Sequence, residues 1–273
     1  MSKITKIIFA NLIFFLSGNA FADSEKLSPE YLWVPEANEH SSFQAQVGGG
    51  LLDDTGITGS KGSPIYVLFK ANYAINPSAS LYLDLPLAGT ISTGPDGFGI
   101  GNISMGGNYQ FLHLDRWSMG AGVNFTFPTS QNESAIGVFT RNFTSFVQDQ
   151  YAVSPYLDLH VSNEKLAASF DIGFNEQIFS SAPAGLDKTE MVLFYDAGLS
   201  LAVNNSRDFW ATLEFGGYST LTYSNNNTEL FGGPGFRYQD HEFSCGLHLM
   251  APFSSPARDQ IDLMILSDIR LKF

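Results

Sequence analysis

The chain has 273 residues, of which 14% are aromatic and only 15% charged, with 26 glycines, a single cysteine and a formal charge of −13. That balance suits an all-β protein with exposed apolar bands better than a charged soluble enzyme, and the missing basic face excludes nucleic acid as a partner. Mean hydropathy near zero does not argue against a membrane, because in a transmembrane barrel each lipid-facing residue is followed by a polar, lumen-facing one.

Residues 1–22 read as a secretory signal peptide: Lys3 and Lys6 precede an apolar stretch from Ile7 to Leu16, and Ala20-Phe21-Ala22 gives a small-residue exit. Its removal takes the chain to a charge of about −15. No other run of roughly 18 or more apolar residues exists to form a spanning helix. Cys245 lies deep in the chain, so it neither anchors a lipid at the cleavage site nor forms an internal disulfide. Residues 23–40 form an amino-terminal periplasmic segment, with Tyr31, Trp33 and Val34 among acidic residues. This segment could fold into the barrel mouth as a plug with Trp33 wedged in the lumen, or hang as a mobile tail.

From residue 41 to 273 the sequence repeats period-two segments, about twelve in all, each near the 9 to 11 residues a tilted strand needs to cross the apolar band. They begin near Phe43, Pro64, Ala79, Asn102, Trp117, Ala152, Leu166, Met191, Phe209, Leu230, Phe243 and Ile261. Tight polar turns, such as Asn76-Pro77-Ser78, Ser162 to Lys165 and Gln239 to Glu242, alternate with longer loops rich in Gly, Ser, Asn and Pro. Membrane barrels sort their connections in this way, with short periplasmic turns and long extracellular loops. A soluble sandwich has no reason to do so. The expected fold is therefore an all-β, transmembrane, antiparallel up-and-down β-barrel of about twelve strands.

Alternation also assigns the two faces. Leu81, Leu83, Leu85 and Leu87 share one face, as do Met119, Ala121, Val123 and Phe125, and these should meet lipid. Tyr73, Tyr109, Trp117, Phe127, Phe209 and Tyr238 fall near strand ends, where aromatic rings settle at the membrane interface. In the last segment Ile269, Leu271 and Phe273 share the lipid face and read as an assembly signal for the barrel assembly machinery, while Asp268, Arg270 and Lys272 take the other. Outer-membrane lipid and a small solute are the remaining expected partners.

The inward face collects Lys70, Asp84, Asp158, His160, Asp171, Asp196, Glu214, Arg237, His248, Asp268 and Arg270 as candidate pore-lining residues. They could define a small conduit or pair across it. Gly48, Gly50, Gly106, Gly120, Gly122, Gly198, Gly233 and Gly235 stand among them, and glycine there should leave open space inside the barrel. Catalysis is poorly supported. A serine hydrolase needs Ser, His and an orienting group in reach, and of the five histidines His113 and His241 sit in turns while His40 precedes the first strand. No His/Cys/Asp group has metal-ligand spacing, and no cofactor is implied.

The segment Gly99-Ile100-Gly101-Asn102-Ile103-Ser104-Met105-Gly106-Gly107-Asn108-Tyr109-Gln110-Phe111 resembles an outer-membrane transporter family labelled as the MetA pathway of phenol degradation. A Gly-x-Gly-Asp opening precedes a strand there, after an earlier strand with an apolar-Pro pair like Leu85-Pro86. Asn102 replaces the family's Asp, and Phe125-Thr126-Phe127-Pro128-Thr129 looks like its next strand exit. The resemblance implies uptake of small, often aromatic or hydrophobic compounds and carries no binding residues. With excess acid on the inward face, a passive channel should favour cations or neutral polar-aromatic solutes over anions. A barrel that merely displays loops, chiefly Pro128 to Gln150, is the second reading, and a hydrolase the third.

Overall fold

Alternating apolar residues need lipid on one side and each strand needs a hydrogen-bonding neighbour on both, so a sheet in a bilayer is stable only when it closes on itself. The computed structural model, which describes residues 31, 40–51, 63–91, 99–130, 145, 149–180, 188–222, 228–254 and 262–273, shows that closure. The strands are β1 (Ser42–Leu51), β2 (Ser63–Asn76), β3 (Ala79–Ile91), β4 (Gly99–Ile100), β5 (Ser104–Leu114), β6 (Trp117–Thr126), β7 (Gln150–Ser162), β8 (Leu166–Phe179), β9 (Thr189–Ala202), β10 (Phe209–Thr220), β11 (Thr228–Gln239), β12 (Phe243–Pro252) and β13 (Leu263–Lys272). Each pairs antiparallel with its neighbours in sequence, except that β4 and β5 both pair with β3 and not with each other, and β13 returns to pair with β1 from Ser42↔Lys272 to Leu51↔Leu263.

The barrel has twelve staves, because β4 and β5 share one. Leu87 and Ala88 of β3 pair with Ile100 and Gly99 of β4, and Ala79 to Asp84 pair with Tyr109 to Ser104 of β5. The register slips by one residue between them, and Gly101, Asn102 and Ile103 leave the ladder. Gly101 N still donates to the Pro86 carbonyl of β3 at 2.8 Å, and the chain that follows β6 meets other polar groups of the three. Ser130 N donates to Asn102 Oδ1 at 2.8 Å, Ile103 N to Thr129 Oγ1 at 2.8 Å, and Thr129 Oγ1 to the Gly101 carbonyl at 2.8 Å. Asn102 N donates to the Ser145 carbonyl, and Asn102 is fully buried. The two stretches that carry the family resemblance thus hold each other, and Asn102 supplies the acceptor that an Asp would.

Short turns close one rim. In three of them an Asn or Asp side chain caps the reversal: Asn76 Oδ1 accepts from Ser78 N, Asn163 Oδ1 from Lys165 N and Leu166 N, and Asp240 Oδ1 from Glu242 N and Phe243 N. In the β9–β10 turn Arg207 adopts φ 63°, and the Nε1 of buried Trp210 donates to its carbonyl at 2.8 Å. The opposite rim carries the long connections.

The outer face is an apolar band. Leu81, Leu83, Phe125, Leu157, Phe170, Leu199, Leu201, Phe236, Leu247, Ile265, Ile269 and Leu271 point outward, and each such side chain gains about 1.5–3 kcal/mol on leaving water. Near the short-turn rim Phe209, Tyr238 and Phe243 stack in sequence, with centroids 5.0 and 6.3 Å apart, and Phe43 lies 6.1 Å from Phe69. Phe273 is outward and 79% exposed, its N–H donating to the Ser41 carbonyl at 2.9 Å. The expected signal peptide, Trp33 and most of the Pro128 to Gln150 loop lie outside the described residues.

Candidate functional site

Side chains of one parity turn into the barrel on every stave, and the register sets which of them meet. Asp158 of β7 is directly opposite Asp171 of β8, which is directly opposite Asp196 of β9. Directly opposite residues have Cβ atoms about 4.5–5.5 Å apart, so three carboxylates form a line around the wall. One register step nearer the short-turn rim on β10, Glu214 lies opposite Gly198 of β9. All four are buried among lumenal neighbours. Asn108 Nδ2 donates to Asp158 Oδ2 at 3.2 Å, and Glu214 Oε1 is 3.4 Å from His248 Nδ1. The carboxylates run along the wall rather than converging, and among the described residues no group of three or more His, Cys, Asp or Glu is arranged to hold a metal ion.

The facing wall, from β11 through β13 to β3, is made of matched pairs. Arg237 donates from both terminal nitrogens to Asp268, at 2.7 and 3.2 Å, with both side chains fully buried. Gln44 Nε2 donates to Asp268 Oδ2 at 3.0 Å, and Arg270 donates to Gln44 Oε1 at 3.3 Å. Lys70 lies 3.7 Å from Asp84, its cross-strand partner, and 5.6 Å from the centre of the Tyr82 ring. Lys272 reaches out to the short-turn rim, donating to the Asp240 carbonyl. The inward bases therefore segregate: every inward Arg or Lys of the described strands lies on β11–β13 and β2, while the inward charges of β7–β10 are carboxylates, and on the facing wall Asp84 and Asp268 each meet a base.

The lumenal glycines do not leave open space. A Cβ at Gly48 would lie 2.1 Å from the Tyr66 ring, at Gly106 2.4 Å from Tyr82, at Gly122 2.2 Å from Tyr156 and at Gly173 2.4 Å from Phe194. Each ring belongs to the directly opposite residue of the adjoining strand and lies flat over the glycine. His248 covers Gly235 and Asp158 covers Gly120 in the same way. Glycine here makes room for a neighbour's ring, not for solvent. Gly198 is covered too, by Tyr31, which is 1% exposed.

Two sets of inward residues escape the sequence reading. Glu190 and Glu229 continue the acidic lining toward the long-loop rim, and Tyr66, Phe194, Phe231, Met250, Met264 and Leu266 form an apolar lumenal layer. The first set lies at strand ends, because β9 and β11 start two residues before Met191 and Leu230. The second breaks the rule that inward means polar, and its signal is parity: Met264 and Leu266 share a face with Asp268 and Arg270.

His160 Nδ1 is 2.7 Å from Ser169 Oγ, a cross-strand pair that the sequence did not bring together. It lies on the inward wall near the short-turn rim, two residues from the end of β7, and pairing of opposite polar residues accounts for it.

Against solved structures, the NanC porin matches with a TM-score of 0.55 at 12% identity, over 84% of this chain and 98% of that one. An outer-membrane channel from Pseudomonas putida F1 matches with a TM-score of 0.56 at 12% identity, over 91% of this chain and 100% of that one. The KdgM porin matches with a TM-score of 0.50 at 9% identity, over 84% and 99%. No family model and no curated protein matches the chain. Identities this low establish the fold. These neighbours are channel and porin barrels. A closed twelve-stave barrel with an apolar outer band belongs in the outer membrane of a Gram-negative bacterium.

Proposed function

We propose that the protein is a passive outer-membrane channel whose lumen prefers small cations or neutral polar-aromatic solutes over anions. The observation that carries this reading is the line Asp158, Asp171, Asp196, with Glu214 beside it. Like charges directly opposite one another weaken a sheet, so three aspartates in one cross-strand line are a poor choice for stability alone. Lining a conduit with carboxylates favours cations. On the far wall Arg237 and Lys70 meet Asp268 and Asp84, and among the described inward residues carboxylates outnumber Arg and Lys.

The fold shared with porins and channels supports conduction. The KdgM porin is known in complex with oligogalacturonate; a uronate is itself a carboxylate, and an acidic wall argues against such a solute here. The resemblance to the MetA-labelled family, together with the apolar layer of Phe194, Phe231, Met250 and Leu266, supports a solute with an aromatic or hydrophobic part. We further propose that the outward edge Ile269, Leu271, Phe273 is read by the barrel assembly machinery.

The test is the reversal potential of the purified, refolded protein in a planar bilayer across a KCl gradient. Cation preference is expected, reduced in the double variant Asp171→Asn/Asp196→Asn. Anion preference in the unaltered protein sinks the reading.

A further inference from the structure

One ammonium group of this barrel is held between a ring and a carboxylate. On β3 the inward residues Tyr82 and Asp84 stand two apart, and Lys70 lies directly opposite Asp84 on β2. Its Nζ is 3.7 Å from the carboxylate and 5.6 Å from the centre of the Tyr82 ring. The carboxylate charge and the negative face of the ring act on that nitrogen together. Here the chain itself supplies the cation.

The same pairing of ring and carboxylate recurs twice on the carboxylate-lined wall, as Tyr156 and Asp158 on β7 and as Phe194 and Asp196 on β9. The carboxylate is on the short-turn side of its ring there and on the long-loop side on β3, but the separation along the strand, about 6.6 Å at roughly 3.3 Å per residue, is the same. The two copies flank β8. Gly173 is directly opposite both rings, and Asp171 is directly opposite both carboxylates. Where β2 sets Lys70 opposite an acid, β8 therefore sets a third acid. Gly173 puts no side chain between the rings, and a Cβ there would lie 2.4 Å from Phe194 Cζ and 2.7 Å from Tyr156 Cβ. Asn108 Nδ2 donates to Asp158 Oδ2 and to the Tyr156 hydroxyl, at 3.2 and 3.4 Å, which fixes the β7 copy.

We infer that Tyr156, Asp158, Asp171, Phe194 and Asp196 form a subsite for an organic ammonium ion with an aromatic or bulky apolar body; the inference rests on the channel reading and names the class of its solute. A line of carboxylates alone attracts any cation. A ring at each end of the line selects among cations, because it favours one whose charge adjoins an apolar surface over a compact, strongly hydrated ion. The contacts that Lys70 makes at Tyr82 and Asp84 are those that the solute's ammonium makes at Tyr156 and Asp158, or at Phe194 and Asp196.

The experiment uses the purified, refolded full chain in a planar bilayer in KCl, with phenethylammonium, methylammonium and phenethyl alcohol added in turn. Phenethylammonium should block the potassium current at a concentration about tenfold lower than methylammonium does, and phenethyl alcohol should not block there. Asp171→Lys puts an ammonium opposite Asp158 and Asp196, as Lys70 stands opposite Asp84, and should raise the half-blocking concentration of phenethylammonium about tenfold. Phe194→Leu should narrow the gap between the two amines several-fold. Equal block by the two amines in a cation-selective channel overturns the subsite and leaves the channel reading standing. A preference for phenethylammonium that survives both substitutions does the same. Anion preference or silence of the unaltered protein overturns the channel reading, and the subsite with it.

Discussion

The two halves of the lumenal wall are built on opposite electrostatic rules. From β11 to β3 opposite charges meet, Arg237 with Asp268 at hydrogen-bond distance and Lys70 with Asp84 at 3.7 Å, and Gln44 bridges Asp268 to Arg270. From β7 to β9 carboxylates face carboxylates across the ladder, with Glu214 of β10 beside them. The first half is what a barrel needs to bury ionisable groups without loss. The second half is costly to the fold, and such local conflict collects where function is served.

Breaking the matched half should have the largest effect. Removing one partner of a buried pair strands the other charge, so Arg237→Ala should lower the unfolding free energy by about 3–5 kcal/mol. Urea titration of the refolded barrel, followed by heat-modifiable mobility, measures it; a loss no larger than that of an exposed turn substitution would show the pair to be ornamental. Replacing both Arg237 and Asp268 by apolar residues of similar size should cost much less than either single change.

The aromatic joints come next. Gly122→Ala puts a Cβ 2.2 Å from the Tyr156 ring, and overpacking of this kind costs about 1–3 kcal/mol. Gly107, whose added Cβ would meet nothing closer than 3.2 Å, is the control, and Gly107→Ala should be close to neutral. If the two variants melt together, the rings are not seated as described.

The carboxylate-lined half should respond in the opposite direction. Asp171→Asn removes like-charge repulsion against Asp158 and Asp196, so it should stabilise the barrel by about 0.2–1 kcal/mol while reducing cation preference. A stabilised variant with unaltered selectivity would leave the acidic line without a role in conduction.

Much of this architecture is visible in the sequence because period two survives both faces. Lys70, Asp84, Asp158, Asp171, Asp196, Glu214, Arg237 and Asp268 share the inward parity along their strands, and parity is a local property. Which of them meet is not local. It depends on register between strands, and a shift of two residues would have put Asp171 beside another partner. The glycines show the same limit: composition says that space is left, but only the register shows that Tyr66, Tyr82 and Tyr156 take it. Strand ends are less legible, because the 9 to 11 residues needed to cross lipid understate strands that run on to 14, and Glu190 and Glu229 stand in those extensions. The apolar inward layer was hidden by the expectation that lumens are polar.

The smallest expected effect lies at the short-turn rim, where neither electrostatic rule of the wall applies. Asp240 accepts from the N–H groups of Glu242 and Phe243, and those bonds hold its carboxyl below the usual carboxylate range. A depressed pKa in the folded state means stability that is present above the unfolded carboxylate pKa and is lost as the pH falls through the folded value. The β11–β12 turn should therefore loosen only below about pH 4. Asp240→Asn keeps an acceptor oxygen but no charge, so it should be slightly less stable at neutral pH and lose that difference in acid. Unfolding midpoints of the two proteins compared at pH 7 and pH 3 should converge at the lower pH; a constant gap would mean that the turn is held by shape and not by the carboxylate.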